Sequence, residues 1–282
     1  MIVAAVLKRL LLALQYPSFP SPLVGEYQVG AIQTRIPNGP ACQIHYPAAT
    51  TTTAATAAAR HRGRGKEKKV PYFRPEAIVG LADYTRQSPG LLEFLSQRQH
   101  PCIISAPPIS TSTTFPIVVF SHGLGGCMEM YTTLCQQIAS QGYWVVAVEH
   151  AEGSGAYAET STGEPIYYRR PDDTPYSRHK VVNFRKDFLS QRLQEIQQVL
   201  EYVTVVGEQA RQPRNDEIDD DKDRSILQQV LEAADTQQGI HLVGHSFGGA
   251  TMVQFLQQHQ QSQPKQQQPY KVESLSVLDC WA

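Results

Sequence analysis

Residues 240–250 read IHLVGHSFGGA. Ile240, Leu242 and Val243 predict a buried strand, and ATMVQFLQQHQ, residues 250–260, predicts a helix. GHSFG, residues 244–248, therefore fits the pattern Gly-x-Ser-x-Gly at a strand-turn-helix junction. A turn that sharp forces Ser246 toward a strained backbone conformation and requires glycine at 244 and 248, where neighbouring chain passes close. The serine hydroxyl is thereby lifted to the tip of a sheet. The following helix aims its first amides, beginning with Phe247, at an oxyanion formed when an ester carbonyl is attacked.

Upstream, FPIVVF at 115–120 is a short apolar, β-branched run of the kind buried on both faces of a parallel sheet. Tyr131, Leu134, Cys135, Ile138 and Ala139 then share one helical face, Gly142 ends that helix, and YWVVAVEH at 143–150 supplies the next strand. This is a βαβ unit. HGLGG, residues 122–126, bends directly after the first of these strands and is placed to present a second amide donor. No Gly-Lys-Ser/Thr follows the glycines, so the motif is not a nucleotide P-loop. A long helix is predicted over residues 183–206, with Phe184, Phe188, Arg192, Ile196, Val199, Leu200 and Val203 on one face. Ile226, Val230 and Ala234 mark a shorter helix before the strand GIHLVG, and KVESLSVLDCW at 271–281 gives a last strand ending at Asp279. The first third of the chain, broken by Pro and Gly, predicts only a peripheral strand or two.

The chain has 282 residues, 41% hydrophobic and 18% charged, enough for one large core. Its 25 basic residues nearly cancel its 26 acidic ones, which gives no reason to expect nucleic-acid binding. Cys42, Cys102, Cys127, Cys135 and Cys280 form no CxxC pair and match no histidine spacing, so buried free thiols are expected rather than a metal site. Lys8 and Arg9 interrupt the apolar N-terminal stretch where a signal peptide needs continuity. No run is long enough for a transmembrane helix, and a cytoplasmic location is favoured over secretion. Two low-complexity insertions are expected within a single domain spanning 1–282: a basic one at 48–69 and a Gln-rich one at 257–269. The acidic stretch at 213–224 lacks EF-hand spacing and reads as a solvated loop.

FPIVVFSHGLGG, VAVEH followed by Ser154, GHSFGGAT and LDCW together resemble the platelet-activating factor acetylhydrolases, serine esterases related to lipases. The resemblance implies an α/β fold, the α/β-hydrolase fold with a mostly parallel, doubly wound sheet. It implies hydrolysis of the sn-2 acetyl or short acyl ester of phospholipids without cofactor or metal, and leaves open contact with a membrane or lipoprotein surface. Carried over motif by motif, Ser246 is the nucleophile, Asp279 the triad acid, and the amides of Leu124 and Phe247 the oxyanion hole. A general carboxylesterase or polyester hydrolase of the same fold is the alternative enzyme, and a noncatalytic lipid-binding paralogue or an inactive fragment the alternative outside enzymes.

In this fold the triad histidine follows the acid in the chain, yet all nine histidines here precede Asp279. The expectation is a C-terminally incomplete sequence with the catalytic histidine not present in the chain. Among the others, His245 should point away behind the turn, His122 should serve a structural hydrogen bond, and His150, at a strand end, is the candidate substitute base.

Overall fold

The computed structural model describes residues 23–49, 70–109, 114–171, 178–211, 226–262 and 270–279. A seven-stranded sheet runs through them in the order β3-β1-β2-β5-β4-β8-β9. Its parallel half is β5 (Trp144–Glu149), β4 (Phe115–Ser121), β8 (Ala234–His245) and β9 (Val272–Leu278). β1 (Gln28–Arg35) and β2 (Ala41–Ala48) form an antiparallel hairpin, β2 pairs antiparallel with β5, and β3 (Ile103–Ile104) is parallel to β1. The parallel, doubly wound core is the one expected from the βαβ reading.

Alternation along the strands explains the layers. Ile117, Val119, Val146, Val148 and Leu242 face one cluster, which is covered by α3 (Arg178–Arg211), α4 (Ile226–Glu232) and α5 (Phe247–Ser262) through Ile196, Val199, Leu200, Val203, Val230, Leu231, Met252 and Phe255. Val118, Phe120, Val145 and Ala147 face the other, covered by α2 (Thr132–Ser140) through Cys135 and Ala139. Each such fully buried aliphatic side chain contributes about 1.5–3 kcal/mol, so strands apolar on both faces are held by helices on both faces. α1 (Pro75–Thr85) packs on a smaller cluster with Tyr72, Phe73, Cys127 and Tyr157, beside the short hairpin of β6 (Tyr157–Glu159) and β7 (Pro165–Tyr167).

Several expectations shift. The first third is not peripheral, because β2 lies inside the sheet, with Cys42–Ala48 all buried. Its polar residues, Gln43 and His45, hid it as a core strand; the two N–H of Gln43 Nε2 find their acceptors among His45 Nε2 at 3.1 Å, His100 Nε2 at 3.0 Å and Thr132 Oγ1 at 2.8 Å. Ala234 belongs to β8 and not to the preceding helix, and Gly239, at φ +86°, precedes a register irregularity against β9 at Ile240/His241. Ala48 ends β2, and residues 257–262 continue α5. The rest of the 48–69 insertion beyond Ala49, residues 263–269, the acidic stretch 213–224, the N-terminal stretch and Cys280 lie outside the described residues. The other four cysteines are buried and unpaired. Among the described residues no helix is long and apolar enough to cross a membrane.

Candidate active site

Ser246 is the single residue between β8 and α5, and it sits in the left-handed region at φ 53°. A non-glycine side chain there costs on the order of 1–3 kcal/mol and must be held by its surroundings. The holding contacts are visible. The Ser246 amide donates to the Leu278 carbonyl at 2.8 Å, extending the β8–β9 ladder one step beyond the His245–Leu278 pair. The Ser246 carbonyl accepts from the Ala250 amide at 3.2 Å in the first turn of α5.

The motif glycines are needed for close approach. A Cβ on Gly244 would lie 2.6 Å from the Gly249 nitrogen, and one on Gly248 2.6 Å from the carbonyl carbon of Ser121, at the end of β4. Both neighbours are backbone atoms that cannot yield without moving a strand or helix. Gly248→Ala is therefore expected to cost on the order of 1–3 kcal/mol in denaturant unfolding, as overpacking against rigid backbone does. Gly90→Ala, where nothing lies within 4 Å of the added carbon, is the control expected to show no loss.

Asp279 follows β9 directly and lies one step beyond Leu278, as Ser246 lies one step beyond His245. The two residues thus occupy the carboxyl ends of neighbouring parallel strands, where chemistry in open α/β sheets collects. Asp279 is also left-handed, at φ 45°, and exposed. HGLGG is at the same end. A Cβ on Gly123 would stand 3.1 Å from the Ser246 Cβ and 3.0 Å from His245 Nδ1, so the loop lies against the serine turn. Among the described residues the Leu124 amide donates to no protein acceptor. Phe247, whose ring is buried, opens α5 beside it.

The histidines are accounted for by their partners. His245 Nδ1 meets the Tyr131 hydroxyl at 2.8 Å, behind the turn. His122 is buried; its Nδ1–H donates to the Gly123 carbonyl at 2.8 Å, and its Nε2 accepts the His150 amide at 3.3 Å. His150, the candidate substitute base, is not hydrogen-bonded to Ser246. Its Nε2 faces Ser121 Oγ at 2.8 Å and its Nδ1 faces Glu195 Oε2 at 2.6 Å, so both ring nitrogens are engaged away from Ser246. Burial first, then the Arg192 charge, pushes the His122 and His150 rings well below the usual imidazole range, while burial raises the Glu195 carboxyl to about 7. Among the described residues no histidine is hydrogen-bonded to Ser246 Oγ.

Sequence reasoning missed the charged groups behind this edge. Arg192, counted as one more position on the buried face of α3, is fully buried and bonds Glu152 and Ser154. Arg74 joins Glu129, which follows the glycine loop, to Glu149 at the end of β5. The available signal was a charged residue on an otherwise apolar helical face: Arg192 recurs with Phe188, Ile196 and Val199.

Residues 25–270 match the model of the family described as platelet-activating factor acetylhydrolase, isoform II. Leu124, Ser246 and Phe247 fall inside that span and Asp279 beyond it. A platelet-activating factor acetylhydrolase of Cavia porcellus is 32% identical over 166 residues, covering 54% of this chain and 34% of the relative. One of Gallus gallus is 31% identical over 207 residues, covering 64% and 45%. The chain thus matches less than half the length of these curated relatives. Among solved structures, a ferulic acid esterase from Streptomyces cinnamoneus superposes with a TM-score of 0.51 at 17% identity, over 84% of this chain and 58% of the other, a likeness of fold.

Proposed function

From the premise that the chain belongs to the platelet-activating factor acetylhydrolase, isoform II, family, we propose that it carries the Ser246 nucleophile of a serine esterase that removes short sn-2 acyl groups from phospholipids. The observation that carries the reading is the left-handed Ser246 between β8 and α5 with the HGLGG loop packed against it. In the proposed reaction Ser246 Oγ attacks the sn-2 ester carbonyl, and its proton passes to a histidine base. The carbonyl oxygen becomes an oxyanion between the Leu124 and Phe247 amides. Collapse expels the lysophospholipid alkoxide, which takes the proton back from the histidine, and water then cleaves the acyl-serine by the same steps. Asp279 orients the base. Among the described residues no histidine is hydrogen-bonded to Ser246 Oγ, and the base is assigned by its chemistry alone.

The test is hydrolysis by the full-length protein. An acetyl-ester choline phospholipid should be turned over faster than its long-chain sn-2 counterpart, and an alkyl fluorophosphonate should label Ser246 and block both. Equal rates on the two phospholipids, together with fast hydrolysis of a simple aryl acetate, would replace the phospholipid reading with a general carboxylesterase. Absence of labelling and turnover would leave a lipid-binding protein.

A further inference from the structure

Behind the proposed oxyanion site, three segments distant in sequence meet one guanidinium. Arg192, on α3, is 0% exposed. Its Nη1 donates to the His122 carbonyl at 2.6 Å, at the first residue of HGLGG. Nε donates to Glu152 Oε1 at 2.6 Å and to Ser154 Oγ at 3.1 Å, and Nη2 donates to Ser154 Oγ at 2.5 Å. Its carbon Cζ lies 4.8 Å from the centre of the Phe247 ring, a cation–π distance. Ser154 in turn holds the glycine loop through its backbone: the Gly125 amide donates to the Ser154 carbonyl at 2.8 Å, and two residues on, the Ala156 amide donates to the Gly126 carbonyl at 2.8 Å.

The peptide that carries the Leu124 N–H is fixed from its other end. Its carbonyl, Gly123 O, accepts the His122 Nδ1–H at 2.8 Å and the Gly126 amide at 3.1 Å. Two donors on that oxygen set the plane of the Gly123–Leu124 peptide and polarise it, which strengthens the N–H at its far side. Arg192 holds the carbonyl immediately before this unit and the serine whose backbone holds the residue immediately after it.

We infer that Arg192 is a positioning residue for the oxyanion site, fixing from behind both the loop that carries the Leu124 amide and the residue that carries the Phe247 amide. The inference rests on the esterase reading above. A buried ion pair is a poor device for stability alone, because desolvation offsets most of the attraction. What a guanidinium does, and an apolar side chain cannot, is hold a carbonyl, a hydroxyl and a carboxylate in one plane while offering a flat face to a ring. An ammonium on the same stem keeps the charge and loses that geometry. The other groups near Arg192, Glu152 and the neutral rings of His122 and His150, make no bond to either proposed donor amide.

The test compares parent, Arg192→Lys and Ser154→Ala in the full-length protein. For Arg192→Lys, kcat on an acetyl ester should fall about 100-fold, the scale of an ångström-sized misplacement, with KM nearly unchanged. Affinity for an alkyl trifluoromethyl ketone, whose serine hemiketal carries the oxyanion, should fall by the same factor. A merely structural role would lower the melting temperature and leave the ketone affinity of the folded fraction intact. Should Arg192→Lys not fold, Ser154→Ala decides, with kcat and ketone affinity falling together by roughly 3- to 10-fold, as loss of one hydrogen bond allows. Folded Arg192→Lys, or otherwise Ser154→Ala, with unaltered kcat and ketone affinity overturns the inference while the esterase reading stands. If Ser246→Ala leaves parental turnover intact, that reading fails first.

Discussion

Ser246→Ala in the full-length protein is expected to lower turnover of an acetyl-ester phospholipid about 10⁶-fold, to the residue left by binding and the oxyanion site. The size of the loss follows from what the hydroxyl does: without it the covalent path closes, and water has to attack unaided. Asp279→Asn should cost less, on the order of 10⁴-fold, because the serine and base remain and only the orientation of the base is lost. Residues acting as one unit are not additive, so the double variant should be no slower than Ser246→Ala. Initial rates of acetate release, with circular dichroism to show that each variant folds, give the comparison. Retention of more than a few per cent of turnover by Ser246→Ala would remove the nucleophile from its place, and full activity of Asp279→Asn would remove the acid.

Stability should peak near neutral pH and fall steeply on acidification. Three buried histidines and the half-buried His100 decide the sign: desolvation pushes His45 down to about 3, His100 to about 4, and His122 and His150 well below the usual value. In the unfolded chain each takes a proton near pH 6.5. Below that pH the unfolded state therefore binds protons that the folded state refuses, and stability is lost as pH falls from about 6.5 toward the folded values. Glu149 and Glu195, both raised to about 7 by burial, work in the opposite direction. Between their unfolded values near 4.5 and about 7 the folded state holds their protons, so their contribution is lost as pH rises through that window. Four sites outweigh two below pH 6, and each unbalanced proton is worth about 1.4 kcal/mol per pH unit. Melting temperatures should accordingly drop from pH 7 to pH 5. Glu195→Gln, which removes one opposing group, should steepen that drop and flatten the profile above pH 6.5. A melting temperature that rises from pH 7 to pH 5 would contradict the assignment of neutral buried rings.

The sequence determined the parts whose physics is local. GHSFG specifies its own turn within five residues, because the glycines at 244 and 248 leave room and the flanking strand and helix are readable from their periods. FPIVVF and YWVVAV could only be buried on both faces, which fixed a parallel core and put Ser246 and the HGLGG loop at its carboxyl edge. Tertiary structure alone decided the polar interior. β2 read as no more than a peripheral strand because its Gln43 and His45 are polar, and they became core residues only when Thr132 and His100, from elsewhere in the chain, supplied partners. His150 read as a strand-end ring, and only the fold showed its nitrogens facing Ser121 and Glu195. Arg192 looked like one position in an apolar period; its partner His122 stands 70 residues away. A buried polar group is tolerable only where its partners converge on it, and for these groups that convergence comes from distant segments brought together by packing, which no local pattern in the sequence records.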